Sequence, residues 1–409
     1  MSGRVLIVGA GPAGLSAAAR LANGGVAVTV LERERSAGGI PRHCLHQGFG
    51  VRDLHRTYSG PGYAAKRVEL ASSSGADIRT ATDVTGWAGD RRLEVTSPAG
   101  RETLEGDAVL LATGCRERPR PARLIPGDRC SGVMTTGTLQ QIVAAGAGVG
   151  RRAVVVGAEH VSYSALATLR HAGVEIAAMT TELAEPQTFR AFQLGAGAVF
   201  GVRARTRTRV AEIEGDDRVT GVRLLDADGR EDRVECDTVV LTADWIPERE
   251  LAATGSLTMA AATQGPLCDG VGRTTVRGVF AAGNVLHGAE PADRAGLEGD
   301  HAARSILRFL DDGRWPAQRL AVAVRPPLRW ASPTLYAPDA ASPLLLRSDE
   351  HLNLARVAIS QAGRALSISR VRLLGPGRGA ALAPGWADGA DPDAGELTVR
   401  VVAARRRRR

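Results

Sequence analysis

Residues 5–15 read VLIVGAGPAGL, an apolar strand that runs directly into a glycine-rich turn. Its three glycines, Gly9, Gly11 and Gly14, follow the pattern GxGxxG, which allows a tight bend, a close approach of a pyrophosphate to the backbone and close packing of the next helix. An alanine- and leucine-rich run and a second apolar strand at residues 26–31 complete a strand–helix–strand unit. This stretch therefore predicts a domain that binds a dinucleotide.

An acidic residue, Glu32, follows the second strand at a position suited to bind the ribose hydroxyls of an adenosine. Its carboxylate would repel a 2′-phosphate, which disfavours NADP at this site. The pyrophosphate would lie on the helix N-terminus, where unpaired N–H groups and the helix dipole favour an anion. We expect Pro12, Ala13, Arg33 and Gly39 to contribute to the same site as the three glycines. A glycine turn that serves packing alone is the alternative interpretation.

Two later segments are also apolar strands that end in a turn. Residues 108–114 read AVLLATG, and residues 278–284 read GVFAAGN. The second segment ends at a polar residue placed to meet a phosphate or ribityl group, and a helix is predicted to begin just after it. The candidate cofactor contacts in these segments are Ala112, Thr113, Gly114, Gly283 and Asn284.

Further along the chain the strand–helix–strand pattern is repeated and then changes. Residues 152–179 read again as strand, turn, helix and strand, residues 205–241 as a β-meander, and the part after residue 315 as short β-like runs. The predicted fold is α/β, with two Rossmann-like domains, the second inserted in the first, and a small β-rich C-terminal domain. The predicted boundaries are residues 1–150 and 244–315 for the first, split domain, 151–243 for the inserted domain and 316–409 for the C-terminal domain.

The order of these motifs resembles the glutathione-reductase-like, two-dinucleotide-domain flavoproteins of the pyridine nucleotide-disulfide oxidoreductase superfamily. The resemblance covers residues 5–310. It implies that the first Rossmann unit binds FAD and that the strand at residues 278–284 touches the ribityl chain. Most members carry an aspartate where this chain has Asn284. An amide both donates and accepts hydrogen bonds, so FAD is still the expected cofactor.

In that superfamily the second unit binds NAD or NADP, and here its turn departs from the pattern. Residues 157–162 read GAEHVS, so Glu159 stands where the second glycine is expected. Its side chain would obstruct the pyrophosphate and place a negative charge beside it. No arginine follows the next strand to hold a 2′-phosphate. NAD(P) binding is therefore disfavoured, and the alternatives are a scaffold without a ligand and a site for another adenine nucleotide.

Disulfide reductases of the superfamily carry a redox-active cysteine pair, which this sequence lacks. Cys44 stands alone between His43 and His46, and two roles are open for it: a thiolate tuned by the histidines, or a small residue packed under the flavin. The second candidate catalytic residue is His287, expected at the start of a helix that points at the flavin. It would act as a hydrogen-bond donor to the reduced flavin or as a structural group. No cluster of residues has metal-ligand spacing, so no metal is expected.

Residues 38–54 and 283–299 look like a narrower branch, the nucleotide-binding subunits of opine oxidase, hydrogen cyanide synthase and amino-acid dehydrogenase complexes. In several of these, a partner subunit carries substrate oxidation or an iron–sulfur centre. The resemblance implies an FAD-dependent oxidoreductase that takes a hydride from a small amine- or amino-acid-like substrate and passes electrons to a partner, a quinone or oxygen. The partner would be a second flavoprotein or an iron–sulfur subunit. The alternatives are an NAD(P)H-dependent flavin reductase and a non-catalytic FAD-binding subunit of a dehydrogenase complex.

Composition limits the remaining function classes. The formal net charge is +8, yet Lys66 is the only lysine, and such a uniform arginine bias is typical of genome composition. No basic stretch is interleaved with aromatic residues, so nucleic-acid binding is not expected. The terminal run Arg405–Arg409 is predicted to be a solvated tail, with attraction to an acidic partner or a membrane surface as the alternative.

The cysteine content and the hydropathy pattern concern the location of the protein. An odd number of cysteines, five, fits a reducing compartment, so a cytoplasmic protein is predicted. No stretch of 18 apolar residues and no export signal are found in the sequence, so no stable membrane insertion is expected.

Overall fold

The computed structural model describes residues 3–188, 193 and 197–406. Contacts along the chain divide it into two compact units. The first comprises the residues up to 42, residues 48–115 and the residues from 246 onward, and the second comprises residues 43–47 and 116–245. The second unit thus begins at residue 116 rather than at the expected 151. The β-rich C-terminal part belongs to the first unit instead of forming a third.

Strands and helices carry numbers in chain order. The strands up to residue 117 are β1 (Arg4–Val8), β2 (Ala27–Leu31), β3 (Gln47–Phe49), β4 (Tyr58–Ser59), β5 (Asp77–Arg79), β6 (Asp83–Gly89), β7 (Arg92–Ser97), β8 (Gly100–Glu105), β9 (Ala108–Leu111) and β10 (Cys115–Glu117). The next strands are β11 (Val133–Thr135), β12 (Arg152–Val156), β13 (Glu175–Thr180), β14 (Ala204–Arg205), β15 (Thr208–Gly215), β16 (Val219–Asp226), β17 (Glu231–Glu235), β18 (Thr238–Leu241) and β19 (Trp245–Pro247). The last strands are β20 (Val279–Ala281), β21 (Leu320–Val324), β22 (Leu328–Ser332), β23 (Leu335–Tyr336), β24 (Leu344–Ser348), β25 (Leu352–Gln361), β26 (Arg364–Leu374), β27 (Ala380–Leu382) and β28 (Leu397–Arg406). The helices are α1 (Pro12–Asn23), α2 (Gly60–Ser73), α3 (Thr136–Ala144), α4 (His160–His171), α5 (Glu250–Thr254) and α6 (Ala292–Asp312).

The first unit is built on a parallel sheet with the strand order β20-β9-β1-β2-β5. The central strand β1 is buried from Val5 to Val8, which explains why it reads as a continuous apolar run. Helices α1 and α6 cover one face of the sheet, and the antiparallel strands β6 to β8 cover the other. The predicted strand–helix–strand unit and the predicted strand at residues 278–282 are confirmed.

Helices α1 and α6 approach each other closely through small residues. A Cβ atom at Gly299 of α6 would lie 2.0 Å from the carbonyl oxygen of Ala13 in α1. A Cβ atom at Gly14 would likewise lie 2.0 Å from the carbonyl oxygen of Gly9. Since a real Cβ atom does not come that near to backbone, only glycine allows these helices and the turn to pack as they do.

The second unit repeats this arrangement. Its parallel sheet has the order β11-β18-β12-β13-β14, with α3 and α4 packed on one face and the predicted meander, β15 to β17, on the other. Strand β11 pairs with β18 from Val133 to Thr135, so a segment well before residue 151 is an integral part of this sheet. That pairing is the physical reason for the earlier boundary.

The C-terminal part contains two sheets around a separate hydrophobic core. Their orders are β23-β21-β28-β25-β26 and β22-β24-β27. The predicted short runs correspond to β25, β26 and β28 and are confirmed. The backbone of Arg405 and Arg406 continues β28 and pairs with β25, so the predicted tail is shorter than expected, and Arg407–Arg409 lie outside the described residues. Within the described part of the chain, no helix is both long enough and apolar enough to cross a membrane.

The contact between α1 and α6 leads to a stability prediction. We expect Gly299→Ala to destabilise the first unit by about 1–3 kcal/mol, because the added methyl group must push α6 away from Ala13. Gly137→Ala in α3 is the control, since a Cβ atom there would meet its nearest neighbour at an ordinary 3.7 Å. Thermal and urea unfolding of both variants measure the effect. Equal stability of Gly299→Ala and wild type would contradict the packing argument.

Candidate functional site

The turn between β1 and α1 has the geometry of an anion site. Gly9 has a φ of 102°, and a Cβ atom on it would lie 2.5 Å from the carbonyl oxygen of Ala112. Gly11 is the N-cap of α1 and no side chain caps the helix there. A Cβ atom at Gly11 would meet nothing within 4 Å, so the space in front of the helix N-terminus is open. The first N–H groups of α1 can therefore bind a phosphate.

The carboxylate of Glu32 is held beside this turn. One oxygen accepts a hydrogen bond of 2.9 Å from the backbone N–H of Ala10, and the other accepts one of 2.9 Å from that of Glu34. The side chain is buried. The acid therefore lies at the end of β2 next to the glycine turn, as the sequence predicted.

The loop after β2 comes back over the same turn. Gly38 donates a backbone hydrogen bond of 2.8 Å to Ala10, and a Cβ atom at Gly39 would lie 2.8 Å from the Cα atom of Gly11. Arg33 is largely exposed and its guanidinium lies 3.9 Å from Glu248. Of the predicted contacts on this loop, Gly39 lies against the turn, whereas Arg33 points toward solvent.

The segment after β9 is fixed by hydrogen bonds within the first unit. The backbone N–H of Ala112 donates to Val8 at 2.9 Å, and the hydroxyl of Thr113 donates to the carbonyl of Glu248 at 2.6 Å. Gly114 has a φ of 80° and accepts a hydrogen bond of 2.9 Å from the N–H of Glu248. This segment therefore lies beside the glycine turn, with Ala112 next to Gly9.

The turn after β20 also lies next to the glycine turn. A Cβ atom at Gly283 would lie 2.9 Å from the Cβ atom of Ala13, which places this turn against the start of α1. The amide of Asn284 accepts a hydrogen bond of 2.8 Å from the N–H of Glu290 and donates one of 3.1 Å to its carbonyl. Asn284 thus holds the loop that leads into α6.

The predicted position of His287 needs correction. Helix α6 begins at Ala292, with Pro291 as its N-cap, so His287 lies in the loop before the helix and not at its start. The imidazole is 1% exposed and stacks on Trp330, with ring centroids 5.2 Å apart. Pro291 was the sequence signal for the later helix start, because proline is favoured at helix N-termini.

A cavity of about 370 Å³ lies between α6, the loop at residues 268–272 and the C-terminal sheets. Its volume is typical of a small-molecule site, and its lining is mainly apolar with a few polar groups. The polar groups include Arg52, Arg294, Glu298 and His301. The cavity is also lined by Ala281, Ala282, Leu286 and His287, which flank the turn that carries Gly283 and Asn284.

Glu298 is the most perturbed acid of this cavity. Burial raises the pKa of its carboxyl group to about 7, although the Arg294 guanidinium and a hydrogen bond from the backbone of Gly283 oppose the shift. The guanidinium lies 3.7 Å from the carboxylate. Burial lowers the pKa of His287 to about 3, so its imidazole, 3.8 Å from Glu298, is neutral. The arrangement can bind a polar group and exchange a proton with it near neutral pH.

Sequence reasoning missed Glu298 and Arg294. They are one helical turn apart on α6, on the face that does not pack on α1. An acid and an arginine at this spacing are also common on exposed helices, so the local pattern gave no signal for a cavity.

Cys44 belongs to the second unit, where its thiol lies 3.4 Å from the amide oxygen of Gln140. Burial raises the pKa of the thiol to about 12, which leaves it protonated at neutral pH. A buried, protonated thiol does not fit the thiolate role, and the position under the flavin stays a prediction. His46 is hydrogen-bonded to Ser164 at 2.6 Å and does not change this conclusion.

The turn of the second unit is held by hydrogen bonds among its own residues and their neighbours. Gly157 has a φ of 127°, like the first glycine of the other turn. At the third glycine position stands Ser162, whose hydroxyl accepts a hydrogen bond of 2.9 Å from the backbone N–H of Glu159 and lies 2.6 Å from the hydroxyl of Thr242. The backbone of Gln187 donates to Ala158 at 2.7 Å. The backbone N–H of Glu159, the N-cap residue of α4, thus already has a hydrogen-bond partner.

Comparisons with known proteins agree with this architecture. The sequence profile of the pyridine nucleotide-disulphide oxidoreductase family matches residues 3–299. An opine oxidase subunit of Rhizobium meliloti is 30% identical over 328 residues, which cover 71% of this chain and 60% of the relative. Hydrogen cyanide synthase subunit HcnB of Pseudomonas aeruginosa is 33% identical over 147 residues, 36% of this chain and 31% of the relative. The chain therefore spans less than two thirds of the length of these relatives.

Among solved structures, thioredoxin reductase of Lactococcus lactis aligns with a TM-score of 0.63 at 20% identity and covers 76% of this chain and 99% of that one. This likeness concerns the fold alone, and it confirms the two Rossmann-like domains. The family match confirms the predicted class of FAD-dependent oxidoreductases. The chain belongs to the pyridine nucleotide-disulphide oxidoreductase family.

Proposed function

We propose that this chain is an FAD-dependent dehydrogenase or electron-transfer component that oxidises a small amine- or amino-acid-like substrate without using NAD(P)H. The observation that carries the proposal is the contrast between the two turns. The first turn leaves its helix N-terminus open at Gly11, whereas in the second turn Glu159 replaces the second glycine and its backbone N–H already donates to Ser162. Reducing equivalents would then come from a substrate bound in a cavity of the first unit and not from a pyridine nucleotide.

The residues around the first turn fit FAD. The backbone N–H groups that follow Pro12 at the start of α1 would hold the pyrophosphate, and Glu32 would accept hydrogen bonds from the ribose hydroxyls. The contacts proposed for the cofactor are Gly9, Gly11, Pro12, Ala13, Gly14, Glu32, Arg33, Gly39, Ala112, Thr113, Gly114, Gly283 and Asn284. FAD, when bound, supplies the acceptor for a hydride from a substrate carbon.

The cavity beside α6 is the proposed substrate site. Its guanidinium groups, Arg52 and Arg294, are suited to a carboxylate, and the adjoining apolar lining is suited to a side chain. Glu298 would take a proton from the substrate's ammonium group, because only the neutral amine can give up a hydride and become an iminium ion. Glu298 lines the cavity together with Ala282, the residue before Gly283, which supports a site next to the proposed cofactor contacts.

Two candidate catalytic residues receive different roles. We propose that His287 forms a wall of the substrate cavity, where its neutral ring orients the substrate. Cys44, buried against Gln140, is assigned to packing.

Partners and location complete the proposal. The relatives from opine oxidase and hydrogen cyanide synthase are both named as subunits. These names support a function within a complex. The partner that receives the electrons would be a second flavoprotein or an iron–sulfur protein. A quinone or oxygen is the alternative acceptor. All five cysteines are free thiols, which supports a cytoplasmic location.

The role of Glu32 can be tested by cofactor binding. We expect Glu32→Gln to weaken FAD binding by about 10-fold or more, because one charge-assisted contact to the ribose is lost. Titration of apoprotein with FAD, followed by flavin fluorescence, measures the dissociation constant. Glu69→Gln, at an exposed position of α2, is the control and should bind FAD like wild type. Unchanged affinity of Glu32→Gln would remove Glu32 from the site.

The electron donor can be identified by anaerobic stopped-flow of the flavin-loaded protein. We expect no rapid loss of absorbance near 450 nm with NADH or NADPH, and bleaching by a member of a panel of amino acids, opines and glycerol 3-phosphate. Bleaching by a pyridine nucleotide would overturn the proposal and identify a flavin reductase. No bleaching by any donor would favour a non-catalytic FAD-binding subunit.

Glu298 should set a pH dependence. We expect the rate of flavin reduction by the donor to rise as the pH passes through about 7, since the carboxylate form accepts the proton. Glu298→Gln should lose this rise and reduce the rate by about 10²- to 10⁴-fold. Asp300→Asn on the same helix is the control, because Asp300 lies outside the lining of the cavity. A rate that keeps its pH profile in Glu298→Gln would exclude Glu298 as the base.

Protein stability gives an independent readout of the same group. Because burial raises the pKa of Glu298 above its ordinary value, the folded protein holds the proton more tightly than the unfolded chain. This contribution to stability is full at low pH and is lost as the pH rises through about 7. Melting temperatures of Glu298→Gln and wild type should therefore diverge, in favour of the variant, as the pH rises from about 4.5 to about 7.

A further inference from the structure

One exposed face of the C-terminal sheet carries an unusual set of side chains. Strands β25, β26 and β28 are neighbours, and their register places Arg356 opposite Arg370, and Ala358 opposite both Ile368 and Arg400. Successive side chains of a strand alternate between the two faces, so Arg372 and Val402 lie on this face as well. We call this the arginine face, formed by Arg356, Ile368, Arg370, Arg372, Arg400 and Val402.

All six of these side chains are exposed, including the apolar Ile368 at 51% and Val402 at 43%. The opposite face of the same strands is buried in the C-terminal core, with Val357, Ile359 and Val399. Residues 352–374 and 397–409 contain no aspartate or glutamate, although the whole chain has 44 of them. Within the described residues, none of the four arginines of the face takes part in an ion pair.

Genome composition does not explain this face, because another sheet of the same chain neutralises its arginines. In the meander of the second unit, Arg223 lies opposite Arg233 across two strands, in the same relation as Arg356 and Arg370. There, however, Arg223 is paired with Glu212 and Glu231, and Arg233 with Glu235, while Glu214 lies close to both. Like charges directly opposite each other destabilise a sheet, so the unneutralised pair is a cost to folding.

We propose that the arginine face is a docking surface for an anionic lipid membrane. The face offers only cationic and aliphatic side chains, and a bilayer with anionic headgroups supplies the two matching components, negative charge and hydrocarbon. An acidic protein surface would also attract the arginines, but the face presents no carboxylate or amide to receive a partner's donors. Single-stranded nucleic acid would require aromatic platforms, and this face has none.

The chemistry of the face sets the expected strength of binding. Each basic residue near an anionic membrane contributes about 1 kcal/mol, so loss of two arginines corresponds to about a 30-fold weaker partition. The attraction acts over roughly 10 Å at 0.1 M salt and shortens as salt is added. The membrane-bound state should therefore depend on lipid charge, on salt and on the four arginines.

The test is co-sedimentation of the purified full-length protein with vesicles. We expect binding to phosphatidylcholine vesicles that contain phosphatidylglycerol, no binding to vesicles of phosphatidylcholine alone, and release at high salt. The variant Arg356→Gln/Arg370→Gln should bind about 30-fold more weakly. It should also melt at the same or a higher temperature than wild type, because a like-charge pair has been removed.

The matched control is Arg223→Gln/Arg233→Gln, which changes the net charge equally and also removes a cross-strand arginine pair. It should bind the vesicles like wild type. Equal losses in both variants would mean that net charge alone drives binding, and the proposal would fail. If the wild-type protein did not bind the vesicles, the proposal would be overturned, and an acidic protein would become the expected partner of the face. The proposal would also be overturned if the protein bound a thymidine oligonucleotide more tightly than the vesicles and this binding depended on the same arginines.

Discussion

The close approach of α1 and α6 is the constraint on which the first unit depends. Gly299 lies against the carbonyl oxygen of Ala13, and no larger residue fits there. The contact fixes α6 beside the helix whose N-terminus forms the phosphate turn. It also turns the other face of α6, with Arg294 and Glu298, toward the cavity. One steric contact thus sets the relation between the turn proposed for the cofactor and the cavity proposed for the substrate.

The glycine turns of the two Rossmann units share the residue that the fold requires and differ at the positions that would contact a ligand. Both turns begin with a glycine at positive φ, Gly9 and Gly157, because the chain turns sharply there from the strand into the helix. The chain tolerates Ser162 at the third position because its hydroxyl finds two partners inside the turn. A serine there keeps the strand–helix unit intact while it accepts a hydrogen bond from the N-cap residue of α4. In the proposed function, the second unit would thus keep its fold without binding a pyridine nucleotide.

Local patterns allowed part of this structure to be predicted, and long-range pairing decided the rest. Apolar runs and glycine spacing located β1, α1 and β20, and Glu32 followed from its place at the end of β2. The boundary at residue 116 could not be predicted, because β11 joins its sheet by pairing with the distant β18. The cavity that Glu298 lines also includes Ser332 and Leu345 of the C-terminal sheets, so no periodicity within α6 could predict it. In the arginine face, only the register brings Arg356 and Arg370 together.

The C-terminal part forms one side of the cavity. Asn284 holds the backbone of Glu290, whose carboxylate accepts a hydrogen bond of 2.8 Å from Arg347. Arg347 lies over the ring of Trp330, which stacks on His287. The charged pair is nearly buried, so loss of either partner would leave an uncompensated charge. The family profile ends at residue 299, before this part begins. In the proposed function, the C-terminal sheets would therefore supply the wall that determines which substrate the cavity accepts.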